Sequence, residues 1–469
     1  MPDQTSKEFE ITPDELYALL QKKESLLLFD LRLQDIYKEG HINGSVHAVC
    51  DARTKETLMP KIPKNVKLVL IDEDGAMSAE TATMMRSFGL DAHYLKGGMK
   101  SWTKELVKGS PPDAINPDEL SQKLHDPNVY LLDVRDPDEF SEYNIPGSKN
   151  IPLSDLFKLE NISKIPHDKE IITVCPHGNM ATVATFALAR NGIKAHVLKD
   201  GLAGWSQVLK STSAEENPTV IQVEKIGKGC LSHVVISEND AIVIDPLYPA
   251  EKYLEVAKEQ GAKITRIIDT HQHADHVSAA QQLANLTGSP MYESKFETWD
   301  RSANFLDDGQ EIKFGNSKLR VIHTPGHTPG SLSFVVDEKY VFTGDILFIE
   351  NIGRPDLRDD AEEFAVQLYD SLHNKLLKLP PDTVVFPTHH GASVTSVNGI
   401  FSTTIEKTKE HDILNLPKEK FVKQIVGVSV PRPMNYQKII QINKGTIPLI
   451  PSDIPDLELG SNRCSIAGA

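Results

Sequence analysis

Short apolar runs alternate with amphipathic stretches through the first two hundred or so residues, and the whole pattern occurs twice. LLLFDLR (from Leu26), VKLVLI (from Val66) and AHYL (from Ala92) return as VYLLDVR (from Val129), EIITVC (from Glu170) and AHVL (from Ala195). Runs of this kind, bounded by turn residues, predict strands. In each copy a Thr or Asn before Pro-Asp-Glu-Leu starts a helix, with acidic residues in the first turn where the helix dipole favours them. A second helix follows the second run and ends at Gly89 or Gly192. Strands alternating with helices predict an α/β domain with a mainly parallel sheet. The copies keep register to their ends: ITPDELYALL from Ile11 answers INPDELSQKL from Ile115, and Trp102 answers Trp205. The turn GSPPDA, residues 109 to 114, divides them into a first domain over 1–110 and a second over 111–214.

From about Pro218 the texture changes. TVIQVEKI, LSHVVI and AIVIDPL predict meandering strands, followed by a helix (YLEVAKEQG), a strand (ITRIIDT) and a histidine-rich segment. Later strands (KLRVIHT, SLSFVVD, YVFTGD) alternate with loops, and EEFAVQLYDSLHNKLLKL and SVNGIFSTTIEKTKEH predict helices. The third domain, 215–469, is therefore of mixed α+β character. Its last stretch, PSDIPDLELGSNRCSIAGA, has weak periodicity and predicts a loosely attached tail.

Charge and cysteine usage narrow the setting. The chain has 469 residues, with 50 basic against 66 acidic ones, a net charge of -16. That balance disfavours nucleic acid or an anionic membrane as the main partner. The start, MPDQTSKEFE, has no basic n-region or apolar h-region, and no run approaches the ~20 apolar residues a membrane span needs. Four scattered cysteines without a CxxC pair suit a reducing cytoplasm better than a disulfide framework. Of these, Cys50 and Cys464 read as structural or incidental, and Cys230, on an early strand, as core. Nothing in the pattern excludes a homo-oligomer.

Cys175, in TVCPHGNMAT, sits where an apolar strand gives way to a helix, the edge of a parallel sheet at which ligands bind. A tight loop there turns backbone N–H groups inward with a helix dipole behind them, a nest that favours a thiolate or a persulfide anion. The earlier copy, LIDEDGAMSA, has Asp72 in that place, and a carboxylate carries no transferable sulfur. Both copies resemble rhodanese (sulfurtransferase) domains, through Asp30-x-Arg32 and Asp133-x-Arg135, the Gly-Ser after the next turn, and the Cys-x-x-Gly loop. The resemblance implies that Cys175 accepts sulfane sulfur and passes it on, that Gly178 helps bind substrate, and that the Asp72 copy is inactive. Two positions depart from the family pattern: Met180 replaces a frequent arginine, and Asn144 stands where the first copy keeps His41. His177 is a further candidate for holding an anion.

DTHQHADHVSAA holds His271, His273, Asp275 and His276 at the end of a strand, and His327 (TPGHTPGS), Asp345 (FTGD) and His389 (FPTHHG) follow at later loops. So many imidazoles and carboxylates are not packed without partners, and a metal is the obvious one. The set, in this order, resembles the metallo-β-lactamase superfold, which implies an αββα sandwich over roughly 218 to 455. Two readings follow from the resemblance. In one, all seven residues hold two Zn(II) ions and activate water, as in glyoxalase II-like thioesterases. In the other, which resembles the persulfide dioxygenases, His271, His327 and Asp345 hold one Fe(II) per chain. His273, Asp275, His276 and His389 then orient ligands and substrate.

The segment ILFIENIGRPDL resembles the Gly-Arg-x-Asp segment of the persulfide dioxygenases, which implies that Arg354 pairs with an anionic group of the substrate. Fusion to a persulfide-carrying cysteine domain also favours the dioxygenase. The expected enzyme oxidises a low-molecular-weight thiol persulfide with O2 to sulfite and thiol, with Cys175 moving sulfur to or from sulfite and thiosulfate. His389 lacks the nearby Tyr of glutathione-using members, so coenzyme A or another thiol fits as well as glutathione.

Overall fold

The computed structural model describes residues 9–22, 26–48, 58–216, 218–356, 360–391, 393–428 and 431–465; Cys50 lies outside them. The chain divides into two compact units, one ending at Trp205 and the other beginning at Ser206.

The first unit holds both repeats, each built on a five-stranded sheet with the same strand order. In the first copy that order is Glu10–Ile11, Asp91–Leu95, Lys67–Ile71, Leu26–Asp30, Ser45–His47. In the second it is Ala114–Ile115, Ala195–Leu198, Glu170–Val174, Val129–Asp133, Lys149–Asn150. Every pairing is parallel. The predicted helix starts are met at Pro13–Gln21 and Pro117–Lys123. At the first, Thr12 and Glu15 close a capping box that satisfies two otherwise unpaired N–H groups. One apolar core runs through both copies, from Leu27 and Phe29 to Val183 and Phe186, so each buries surface that the other covers.

The motif residues outside the thiol loop are structural. Asp30 and Asp133 are fully buried, and each takes the guanidinium of the arginine two residues on, Arg32 or Arg135. Those guanidinium groups then donate to the carbonyls of Gly40 (2.8 Å) and Tyr143 (2.5 Å), tying down the following turn. His41 bonds through Nδ1 to the Tyr37 carbonyl at 2.9 Å. Asn144 donates to the Phe140 carbonyl at the same distance, so the substitution keeps this bond.

The second unit is a sandwich. A seven-stranded sheet runs Leu209–Glu216, Thr219–Lys225, Cys230–Ser237, Asp240–Ile244, Lys263–Ile268, Met291–Ser294, Asn304–Leu306. A six-stranded sheet runs Glu311–Phe314, Ser317–His323, Leu332–Val336, Tyr340–Gly344, Val384–Pro387, Thr403–Thr404. Val235, Ile242 and Ile268 of the first meet Phe334, Phe342 and Phe386 of the second in one core. Helices Glu251–Glu259 and Ala280–Thr287 cover the outer face of the first sheet, and Ala361–Asn374 and Lys418–Val426 that of the second. This is the αββα arrangement. Strand Leu209–Glu216, most of which lies before the boundary drawn at residue 214, pairs antiparallel with Thr219–Lys225 and belongs to this unit.

Two expectations are corrected. SVNGIFSTTIEKTKEH is not one helix: Asn398 and Gly399 take left-handed backbone angles and turn the chain into a hairpin. Strand Thr403–Thr404 then joins the sheet, and only Ile405–Thr408 is helical. The C-terminal stretch is not loosely attached. Gly353 bridges Ser465, the Arg354 N–H donates to the Cys464 carbonyl at 3.1 Å, and the Glu458 carboxylate, fully buried, meets the Lys225 ammonium. Among the described residues no helix is long and apolar enough to cross a membrane.

Candidate metal centre and thiol loop

Strand Glu170–Val174 ends in the core, and the chain turns at Cys175 into helix Asn179–Arg190 through Gly178, whose φ of 96° is left-handed. The turn aims N–H groups inward: Gly178 donates to Cys175 Sγ at 3.1 Å and Ala181 at 3.3 Å. The Cys175 carbonyl accepts from Leu202 at 2.9 Å, and a Cβ on Gly201 would stand 2.2 Å from that oxygen. Only glycine admits so close an approach.

In the first copy Asp72 fills the same nest. Its carboxylate accepts from the N–H groups of Gly75 (2.6 Å), Met77 (2.8 Å) and Ser78 (3.3 Å) and from Ser78 Oγ (2.8 Å). Gly98 plays the part of Gly201, with its Cβ position 2.6 Å from the Asp72 carbonyl. The nest is thus an anion site, satisfied internally by a carboxylate in one copy. Around Cys175 the balance differs from the expected thiolate: burial pushes the thiol up, and the N–H groups of Ala181, His177, Gly178 and Met180 oppose this only in part. Met180 is buried in the core, where it presents no charge to the loop.

The metal-type residues lie on loops leaving both sheets. His271, His273, Asp275 and His276 follow strand Lys263–Ile268, His327 follows Ser317–His323, Asp345 follows Tyr340–Gly344 and His389 follows Val384–Pro387. His271, His327 and Asp345 converge: each imidazole Nε2 is 3.4 Å from Asp345 Oδ2. All three atoms are buried and none has a hydrogen-bond partner among the described residues. The other side of each ligand is held. His271 Nδ1 meets Thr270 Oγ1 at 2.9 Å, and that hydroxyl bonds to the Asp245 carboxylate at 3.0 Å. His327 Nδ1–H donates to the Arg354 carbonyl at 2.9 Å, and Thr388 and His389 donate to Asp345 Oδ1, the latter at 2.6 Å. These bonds leave both Nε2 lone pairs and Oδ2 facing one point. Burial pushes His327 down to about 3, keeping it neutral as a ligand must be. Burial pushes Asp345 up, but His389 and His271 hold it well below the usual carboxylate range.

The remaining four motif residues do not join that point. His273 Nε2 is 3.0 Å from Asp245 Oδ1; burial pushes this imidazole down, but Asp245 outweighs it and holds it up at about 9. His276 Nδ1 bonds Asp275 Oδ1 at 3.0 Å, and His389 Nε2 stands 2.8 Å from Asp275 Oδ2. Cys230, read as plain core, donates to the same oxygen at 3.4 Å. With Asp275, His276 and His389 it forms a buried group whose ligand atoms lie within 4.8 Å of one another. Arg354 is 1% exposed, with its fork on Asp356 (2.7 Å twice) and on the carbonyls of Pro431 and Arg463.

Sequence reasoning missed Asp245, Thr270, Thr388 and Cys464. Asp245, closing the strand in AIVIDP, carried a usable sign, a charged residue at the end of an apolar run. Cys464 is fully buried and has its sulfur within 4.8 Å of ligand atoms of Asp345 and His389, although both lie far from it in the chain.

Two histidines and a carboxylate facing one point fit a divalent metal. Fold and site together define a metallo-β-lactamase-type metal protein preceded by two rhodanese units. The metallo-beta-lactamase superfamily profile matches residues 227–389, and the rhodanese-like domain profile matches 12–105 and 116–208. Human mitochondrial persulfide dioxygenase ETHE1 is 32% identical over 208 residues, 44% of this chain and 78% of that protein. Hydroxyacylglutathione hydrolase GloC of Haemophilus influenzae is 30% identical over 222 residues, 42% of this chain and 98% of that protein. The crystal structure of ETHE1 from Myxococcus xanthus compares with a TM-score of 0.43 at 27% identity, covering 51% of this chain and 99% of that one. The chain belongs to the metallo-β-lactamase superfamily and, within it, to the family of the ETHE1 persulfide dioxygenases; it is an enzyme.

Proposed function

We propose that the second unit is an iron-dependent persulfide dioxygenase, converting R–SSH, O2 and water to R–SH and sulfite. The observation that carries this reading is the convergence of His271 Nε2, His327 Nε2 and Asp345 Oδ2, buried and unpartnered, while His273 is engaged by Asp245. His271, His327 and Asp345 would hold Fe(II), which would supply redox chemistry toward O2. Thr270 and the Arg354 carbonyl fix the imidazole tautomers. Thr388 and His389 fix the Asp345 carboxylate, and Asp275 holds the far side of His389. Arg354 serves the reaction by tying the chain at Gly353, beside His327, to the C-terminal stretch at Arg463, where Gly353 also bridges Ser465. The thiol R–SH is a small cellular thiol, glutathione or coenzyme A.

Cys175 carries sulfane sulfur between the two chemistries. Its persulfide and sulfite give thiosulfate and the free thiolate, or the reverse, with Gly178 and Ala181 N–H groups holding the charged sulfur. Mass spectrometry after thiosulfate treatment is expected to find one added sulfur atom on Cys175. Sulfur transfer that survives Cys175→Ser overturns this role.

A second reading, a dinuclear Zn(II) hydrolase, draws on the Cys230, Asp275, His276 and His389 group, which offers a place for another ion. Metal analysis of the purified protein separates them: one iron per chain supports the dioxygenase, two zincs the hydrolase.

A further inference from the structure

The loop that carries the histidine motif is gripped by the C-terminal segment, through backbone atoms. Asn443, on helix Tyr436–Lys444, donates from Nδ2 to the carbonyls of His273 (2.9 Å) and His276 (2.8 Å), and its Oδ1 accepts the Ser278 N–H (2.9 Å). Glu458 Oε1 accepts the Val277 N–H at 2.7 Å, while Oε2 meets the Lys225 ammonium and accepts from Gln207 at 3.1 Å. Both side chains are buried, Asn443 at 2% and Glu458 at 0% exposure. Val277 itself is packed by Ile439, Ile442, Ile454 and Leu457 of the same segment. A loop rich in polar groups has no periodic partner for its backbone, and here two side chains from far along the chain supply four bonds.

The grip has a route to the ligands. It sets the path of His273 to Ser278, hence the place of Asp275, whose Oδ2 is 2.8 Å from His389 Nε2. His389 in turn orients Asp345. We propose that Asn443 and Glu458 are positioning residues of the metal centre, so that metal affinity is set in part by the C-terminal segment. The proposal rests on the reading of a metal at His271, His327 and Asp345. A purely structural role would lower the melting temperature and leave the affinity of the folded protein for metal unchanged.

The test is Co(II) titration of the metal-free full chain, followed by visible absorption, with near-UV circular dichroism as the check on folding. Asn443→Ala is expected to weaken Co(II) binding about 10–100-fold with the dichroism unchanged, the usual range for partners that orient ligands. Two double variants isolate Glu458 without stranding Lys225. Lys225→Met with Glu458→Gln keeps an acceptor for Val277 and is expected to bind like the parent. Lys225→Met with Glu458→Leu loses that acceptor and is expected to bind about tenfold more weakly. Equal affinity across the folded variants overturns the proposal, and if Asn443→Ala does not fold, equal affinity of the two doubles does so. A parent that takes up no Co(II) overturns the metal reading, and the positioning role with it.

Discussion

Replacing Asp72 with alanine should cost the first unit more stability than replacing Cys175 with alanine, although only Cys175 has chemistry to lose. Asp72 accepts four hydrogen bonds, three from backbone N–H groups at the start of a helix. A bond to a charged acceptor contributes about 1.5–3 kcal/mol, and an anion at a helix N-terminus about 0.3–1 kcal/mol more. Contributions of this kind do not add in full, so the net loss is taken as about 3 kcal/mol, below the sum. Cys175 Sγ accepts two longer bonds, 3.1 and 3.3 Å, and alanine keeps most of the apolar contact. That loss is about 1 kcal/mol. For a unit of this size, ~2–4 °C per kcal/mol gives a fall of roughly 6–12 °C for Asp72→Ala against 2–4 °C for Cys175→Ala. Scanning calorimetry on the full chain reads both shifts. Equal shifts, or a larger one for Cys175→Ala, would refute the idea that the carboxylate is a built-in occupant of the anion nest.

Other outcomes follow from the same geometry. Gly201→Ala puts a Cβ against the Cys175 carbonyl and should abolish sulfur loading of Cys175 by mass spectrometry, whereas Gly98→Ala strains only the Asp72 loop and should leave loading intact. Thr388→Val removes a donor to Asp345 and should lower iron affinity about 10–100-fold, read by chelator competition. His233, fully buried, is pushed down to about 3 by burial. Between about pH 6.5 and 3 the unfolded state therefore binds the extra proton, and stability present above 6.5 is lost as pH falls through this window. His233→Gln should flatten that acid limb in urea titrations; an unchanged limb counts against the assignment.

Much of the fold was legible because repetition and periodicity are local properties. The doubled strand-and-helix pattern predicted two parallel sheets, and both have the same strand order. The His-Asp motif predicted loops at strand ends, and His271, His327 and Asp345 meet there. What stayed hidden depends on contacts far apart in sequence. Asn443 reaches His273, and Glu458 reaches Val277, across more than 160 residues, and neither stands in a motif. Cys464 looked incidental for the same reason. The helix expected across Asn398 is broken by an Asn-Gly turn, whose two residues take left-handed backbone angles. The thiol loop shows a different limit: its N–H nest could be read from Cys175 and Gly178, but the burial that pushes the thiol up could not.

Persulfide oxidation by the second unit is decided by oxygen uptake of the iron-loaded protein supplied with glutathione persulfide and coenzyme A persulfide in turn. One O2 is expected to be consumed per sulfite formed with at least one of them, and uptake is expected to be lost in His327→Ala and Asp345→Ala. No uptake from the iron-loaded parent, together with thioester cleavage by a two-zinc form, would contradict it.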